Sequence, residues 1–135
     1  MRAAGINWLA VIAAAVAFYL LGFLIYGVLI GEEQLMAMMG TDPAASKEAE
    51  QARMPFGVLM PLATAAFMAL IFKWGQVANA VTGARWGAVI ALASAVPGLW
   101  YGWVYGDYPA GMAVIDTAHL LLGHMAVGAI LGGWR

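Results

Sequence analysis

The chain has no cysteine among its 135 residues. That excludes disulfides, thiolate nucleophiles, iron–sulfur clusters and cysteine-based zinc sites, and it says nothing of compartment. Charge is almost as scarce. Asp, Glu, Lys and Arg make up 10% of the chain, against about 25% in an ordinary soluble domain. With a net charge of −1 and no cluster of Lys or Arg, nothing resembles the basic footprint of a nucleic-acid binder. Serine occurs only at Ser46 and Ser94. Neither sits in a Gly-x-Ser-x-Gly elbow, and there is no His-Glu-x-x-His helix or phosphate-binding loop. The sequence reads as that of a protein without enzymatic activity and with no cofactor.

What remains is apolar. Hydrophobic residues make up 64% of the chain, compared with about 45–50% in soluble domains, so lipid is the expected solvent. Four apolar blocks stand out, at 6–30, 56–72, 86–105 and 112–134. Each is close to the roughly 17–25 residues that carry a helix across a hydrocarbon core. Strands are set aside, because a membrane barrel needs short alternating segments. The fold class is therefore an all-α integral membrane protein, a bundle of four transmembrane helices forming one domain. Arg2 followed by an apolar run resembles the start of a signal peptide, but the first block is too long for one and reads as a retained span.

Basic residues suggest an orientation. Arg2, Lys73, Arg85 and Arg135 fall at the two ends and between spans two and three, all on one side of a four-span protein. Lys47 and Arg53 lie on the other side, outnumbered there by Glu32, Glu33, Asp42, Glu48, Glu50 and Asp107. The positive-inside rule then predicts cytoplasmic termini.

The long connection, 31–55, is expected to hold short helical pieces at the interface. Leu35, Met36, Met38 and Met39 form an amphipathic turn that reads as interfacial packing rather than as a soft Cu(I) site. Gly40 should end it. Asp42 and Pro43 suit an N-cap and a first helical position. The Ala-, Glu- and Lys-rich stretch beyond them favours a helix, with an interruption expected at Pro55.

Helices in lipid associate through close approach and polar contacts. Ser94, Gly98, Gly102 and Gly106 recur every fourth residue as one ridge, and Gly83 and Gly87 begin a shorter one. Gly128 and Gly132 repeat the spacing in span four, and Gly27 and Gly31 in span one. Trp8, Trp74, Trp86 and Trp134 fit an aromatic belt at one boundary. Trp100, Tyr101, Trp103 and Tyr105, with Pro97 weakening the helix beside them, form a candidate mouth for a lipid or hydrophobic ligand; interface anchoring is the plainer reading. Gln76, Asn79 and Thr82 are expected to cap helix ends.

The stretch from Asn7 to Gly40, "NWLAVIAAAVAFYLLGFLIYGVLIGEEQLMAMMG", resembles the opening of the bacterial membrane proteins grouped as domain of unknown function 1761. The residues that carry the likeness are Asn7, Trp8, Leu21, Gly22, Tyr26, Gly27, Met39 and Gly40. The closing "GAILGGWR" is similar to that family's usual end, at Gly128, Ala129, Ile130, Leu131, Trp134 and Arg135. Ile25 departs from the pattern, standing where a Trp is common, and so do Glu32–Glu33, which replace a more basic pair. The resemblance implies four spans in a bacterial inner membrane and no particular activity.

Span four also holds Asp116, His119 and His124. At about 100° per residue, His119 lies about 60° to one side of Asp116 and His124 about 80° to the other. Asp116 and His119, one turn apart, are within reach of each other. Three readings are open: interhelical polar glue, a proton or ion relay, or a metal or haem site. The last is poorly supplied, since the chain has only two histidines and their angular separation prevents a shared haem. The leading expectation is a scaffold or accessory subunit, either a homo-oligomer or part of a larger membrane complex, with lipid as its other partner. The alternative is a small proton-coupled transporter or a carrier of hydrophobic ligands, centred on Asp116, His119 and His124.

Overall fold

In the computed structural model, residues 2–3, 5–40 and 43–134 are described, with backbone only for 2–3, 43–52 and 54. Four helices are long and apolar enough to cross a membrane: Trp8–Ile30, Pro55–Trp74, Ala80–Tyr105 and Ala110–Gly133, here spans one to four. The protein is an all-α, multi-pass membrane protein. Its only extended structure among the described residues is a two-residue antiparallel pair ahead of span one, Arg2–Ala3 against Ile6–Asn7.

Two boundaries differ from those read off hydropathy. Span three begins at Ala80 rather than 86. Asn79 caps it, its side-chain oxygen accepting from the Thr82 amide at 2.8 Å, which draws Arg85 into the helix. Span two is the end of a longer helix, Pro43–Trp74, which contains Pro55 and Pro61 and is not interrupted at Pro55. A proline removes one amide and crowds the carbonyl four residues back. Helices in lipid nonetheless run through prolines, because the remaining backbone bonds have no water to replace them. The short helix Glu32–Met39 ends at Gly40, whose left-handed φ of +63° makes the C-terminal cap. The proposed cap at Asp42 lies outside the described residues.

Spans one and three each contain a π-helical stretch, Phe23–Ile30 and Ala91–Ala95. In span three the cause is local. Pro97 comes two residues later, and the widened turn lets the Val96 amide reach Ala91, five residues back.

The core joins spans one, two and four. Val11, Ala14, Phe18, Met68 and Val127 are buried at its centre. Spans three and four form the most extensive pairing, and it rests on missing side chains. A Cβ on Gly83 would collide with the Gly128 carbonyl, one on Gly128 with the Gly83 carbonyl, one on Gly87 with the His124 carbonyl, and one on Gly132 with the Asn79 carbonyl. The two backbones touch, as small-residue interfaces in lipid allow.

Candidate functional site

Asp116 lies two turns into span four. Two tyrosines reach it from elsewhere in the chain. Tyr26, in the π-helical part of span one, donates its hydroxyl to Asp116 Oδ1 at 2.5 Å. Tyr108, in the turn before span four, donates to Oδ2. Both carboxylate oxygens are thus occupied. Tyr108 lies outside the spans, and its hydroxyl is held well above the usual tyrosine range. Burial is the main cause, followed by the hydrogen bond to Asp116 and that residue's charge.

The Tyr26 hydroxyl also lies 3.2 Å from His119 Nδ1, so it bridges acid and imidazole. With Nε2 protonated throughout, two proton arrangements satisfy the chain. In one, His119 Nδ1–H donates to Tyr26, which donates to an ionised Asp116. In the other, a protonated Asp116 donates to Tyr26, which donates to a bare Nδ1. They differ by the net passage of one proton from His119 to Asp116 through a single hydroxyl. Nε2 itself is buried and has no hydrogen-bond partner among the described residues. Gly22 leaves room for the ring, since a Cβ there would stand 3.1 Å from Nε2.

His124 does not belong to that chain. The Phe18 ring stands between the two imidazoles, edge-to-face with His119 at 5.1 Å and with His124 at 5.4 Å. Phe18 occupies the space that Gly123 leaves open, where any Cβ would strike the ring. His124 Nδ1 is 2.7 Å from the Leu120 carbonyl, an acceptor, so this nitrogen carries the proton. Of the three ionisable residues in span four, the structure joins two and separates the third.

Both histidines line a cleft of about 630 Å³ between the spans. Its walls are Phe18–Gly27 of span one, Gly57–Thr64 of span two and Ala95 of span three, with Leu120 and the two histidines from span four. It lies in the half of the bundle nearer the 31–55 connection. Both π-helical stretches border it, and such distortions often accompany functional sites. The volume falls within the range of about 300–1,000 Å³ typical of small-molecule sites. Phe23 and Met60 on its rim are exposed, so the cleft opens sideways, towards lipid. Among the described residues no Asp, Glu, Lys or Arg lines it.

The other residues singled out by sequence lie elsewhere. Trp100 donates to Thr117 Oγ1 at 2.9 Å and packs edge-to-face on Trp103. Tyr101 and Tyr105 stack on each other at the exposed surface. None of these four lines the cleft. Ser94 and Gly98 face outwards, and a Cβ on Gly98 would meet nothing within 4 Å. Gly102 packs under Tyr108, and Gly106 ends span three. Gly128 and Gly132 are taken up within the chain, against span three. Among the described residues no three His, Asp or Glu side chains gather as a metal site.

Sequence reasoning missed the roles of Phe18, Tyr26 and Tyr108. Tyr26 and Asp116 are 90 residues apart, and aromatic residues near a lipid boundary are too common to single out.

A family model described as "Protein of unknown function (DUF1761)" matches residues 9–132. The chain belongs to this family. Tyr26, Asp116, His119, His124 and the whole cleft fall within the matched DUF1761 region. No curated protein and no solved structure matches.

Proposed function

We propose that this DUF1761 protein is a proton-coupled carrier of a membrane-dissolved hydrophobic ligand and not an enzyme. The observation that carries the reading is the placement of His119, which lines the cleft and is joined through Tyr26 to Asp116. A ligand entering sideways from lipid meets an imidazole whose proton has a route to a carboxylate. Ionisable groups inside spans are costly and tend to mark such pathways. We place the protein in a bacterial inner membrane with both termini cytoplasmic, on the family resemblance and the distribution of Lys and Arg. The cleft then opens in the outer half of that membrane.

The test has two parts. Native mass spectrometry of protein released gently from its own membrane should find a bound lipid-soluble mass, lost when Thr64→Trp fills the cleft. Reconstituted liposomes should show ligand flux that varies with pH, abolished by Asp116→Asn. An empty cleft together with an inert flux would sink the reading.

A scaffold or accessory role is the second reading. It is favoured by the outward Ser94–Gly98 face, which no part of the chain covers among the described residues. It predicts that Gly98→Leu disperses a homo-oligomer or releases a partner subunit.

A further inference from the structure

The polar atoms of the cleft define what kind of head group it receives, an inference that rests on the cleft being a ligand site. Charged heads are poorly served. Among the described residues, no Lys or Arg lines the walls to hold a phosphate or carboxylate, and no Asp or Glu lines them to hold an ammonium. Burying an unpaired charge there would be prohibitive.

His124 supplies the positive signal. It is 6% exposed, and its Nδ1 proton is committed to the Leu120 carbonyl. In the neutral ring the other nitrogen, Nε2, is then a bare acceptor. It has no hydrogen-bond partner among the described residues, and it is not one of their fully buried polar atoms. The ring lines the cleft, so an acceptor is left there for a ligand's donor to meet.

A helix carbonyl that loses its usual donor belongs to another lining residue. In an uninterrupted helix the Gly57 carbonyl would accept from the amide of residue 61. That residue is Pro61, which has no amide hydrogen. Gly57 and Pro61 both line the cleft. The free acceptor on His124 calls for a ligand that brings its own O–H.

We propose that the cleft binds an uncharged long-chain lipid alcohol, with the hydroxyl donating to His124 Nε2 and the chain lying along the apolar wall towards Met60. Gly57 offers a second acceptor for heads with two hydroxyls.

The experiment compares hexadecanol with hexadecyl methyl ether, which has the same tail and oxygen but no donor. Binding is followed by native mass spectrometry of the full chain in lipid nanodiscs. Wild-type protein should take the alcohol about tenfold or more tightly than the ether. His124→Phe should bind both equally. Equal binding by wild-type protein overturns the hydroxyl assignment and leaves the cleft standing, whereas binding of neither ligand overturns the cleft itself. A preference that survives in His124→Phe overturns His124 as its reader. Should that variant fail to fold, the ¹⁵N resonance of His124 Nε2 in wild-type protein decides. Accepting a hydrogen bond from hexadecanol must move it upfield, and an unmoved signal refutes the proposal.

Discussion

One hydroxyl, that of Tyr26, stands between the Asp116 carboxylate and the His119 imidazole. Tyr26→Phe therefore removes the link and leaves both ends in place. We expect a folded protein, less stable by about 1–3 kcal/mol because a partly buried carboxylate oxygen and a ring nitrogen lose a partner, and without the pH-dependent flux proposed above. Parallel thermal melts and liposome flux assays check this. Normal flux in the variant would show that the proton takes another route. Tyr108 gives a separate pH signature. Its hydroxyl pKa is raised in the folded state, so the folded protein holds that proton more tightly than the unfolded chain does. The stability this confers is complete below the ordinary tyrosine value of about 10 and is lost as pH rises above it. Wild-type protein should lose melting temperature more steeply than Tyr108→Phe above about pH 10. Identical slopes would show that the hydroxyl is not held by Asp116.

Spans three and four act as one unit because glycines let their backbones touch. Gly128→Val places a branched side chain against the Gly83 carbonyl. Overpacking of this kind costs about 1–3 kcal/mol, and the same exchange at outward-facing Gly98 should cost far less in the isolated chain. Thermal unfolding of the two variants in mild detergent separates them; equal losses would mean that Gly98 is covered by a second molecule. At this scale much was readable in advance. Hydropathy located all four spans, Gly40 marked the end of a helix, and Asn79 was recognisable as a cap because its side chain is one that satisfies free amides. The run of helix through Pro55 was not readable, since proline's local penalty is plain in the sequence and the continuity of the backbone bonds around it in lipid is not. Nor was the division of the glycines. Spacing shows that Gly83, Gly98 and Gly128 each lie on a small face, but only the fold decides that Gly83 meets Gly128 while Gly98 looks outwards.

As a whole, the molecule is a packed core of spans one, two and four with span three fastened to span four, and a cleft on the side of the long connection. The absence of cysteine makes its orientation simple to measure. Single cysteines introduced at Thr82 and at Asp107 should differ in labelling by a membrane-impermeant maleimide added to intact cells. Only the Asp107 position should react, and the reverse result would invert the proposed topology. The candidate site could be read from sequence only as three polar residues of one helix. Its working partners come from span one and from the turn before span four, and no spacing within span four reveals them.

On the proposed carrier reading, the sideways opening of the cleft would fix the quantity to which the protein responds. A site entered from the bilayer equilibrates with the mole fraction of ligand among the surrounding acyl chains, whatever its concentration in water. Because the opening lies in one half of the bundle, such a site would sample a single leaflet. Two membranes with the same total ligand but different leaflet asymmetry would load this protein to different extents.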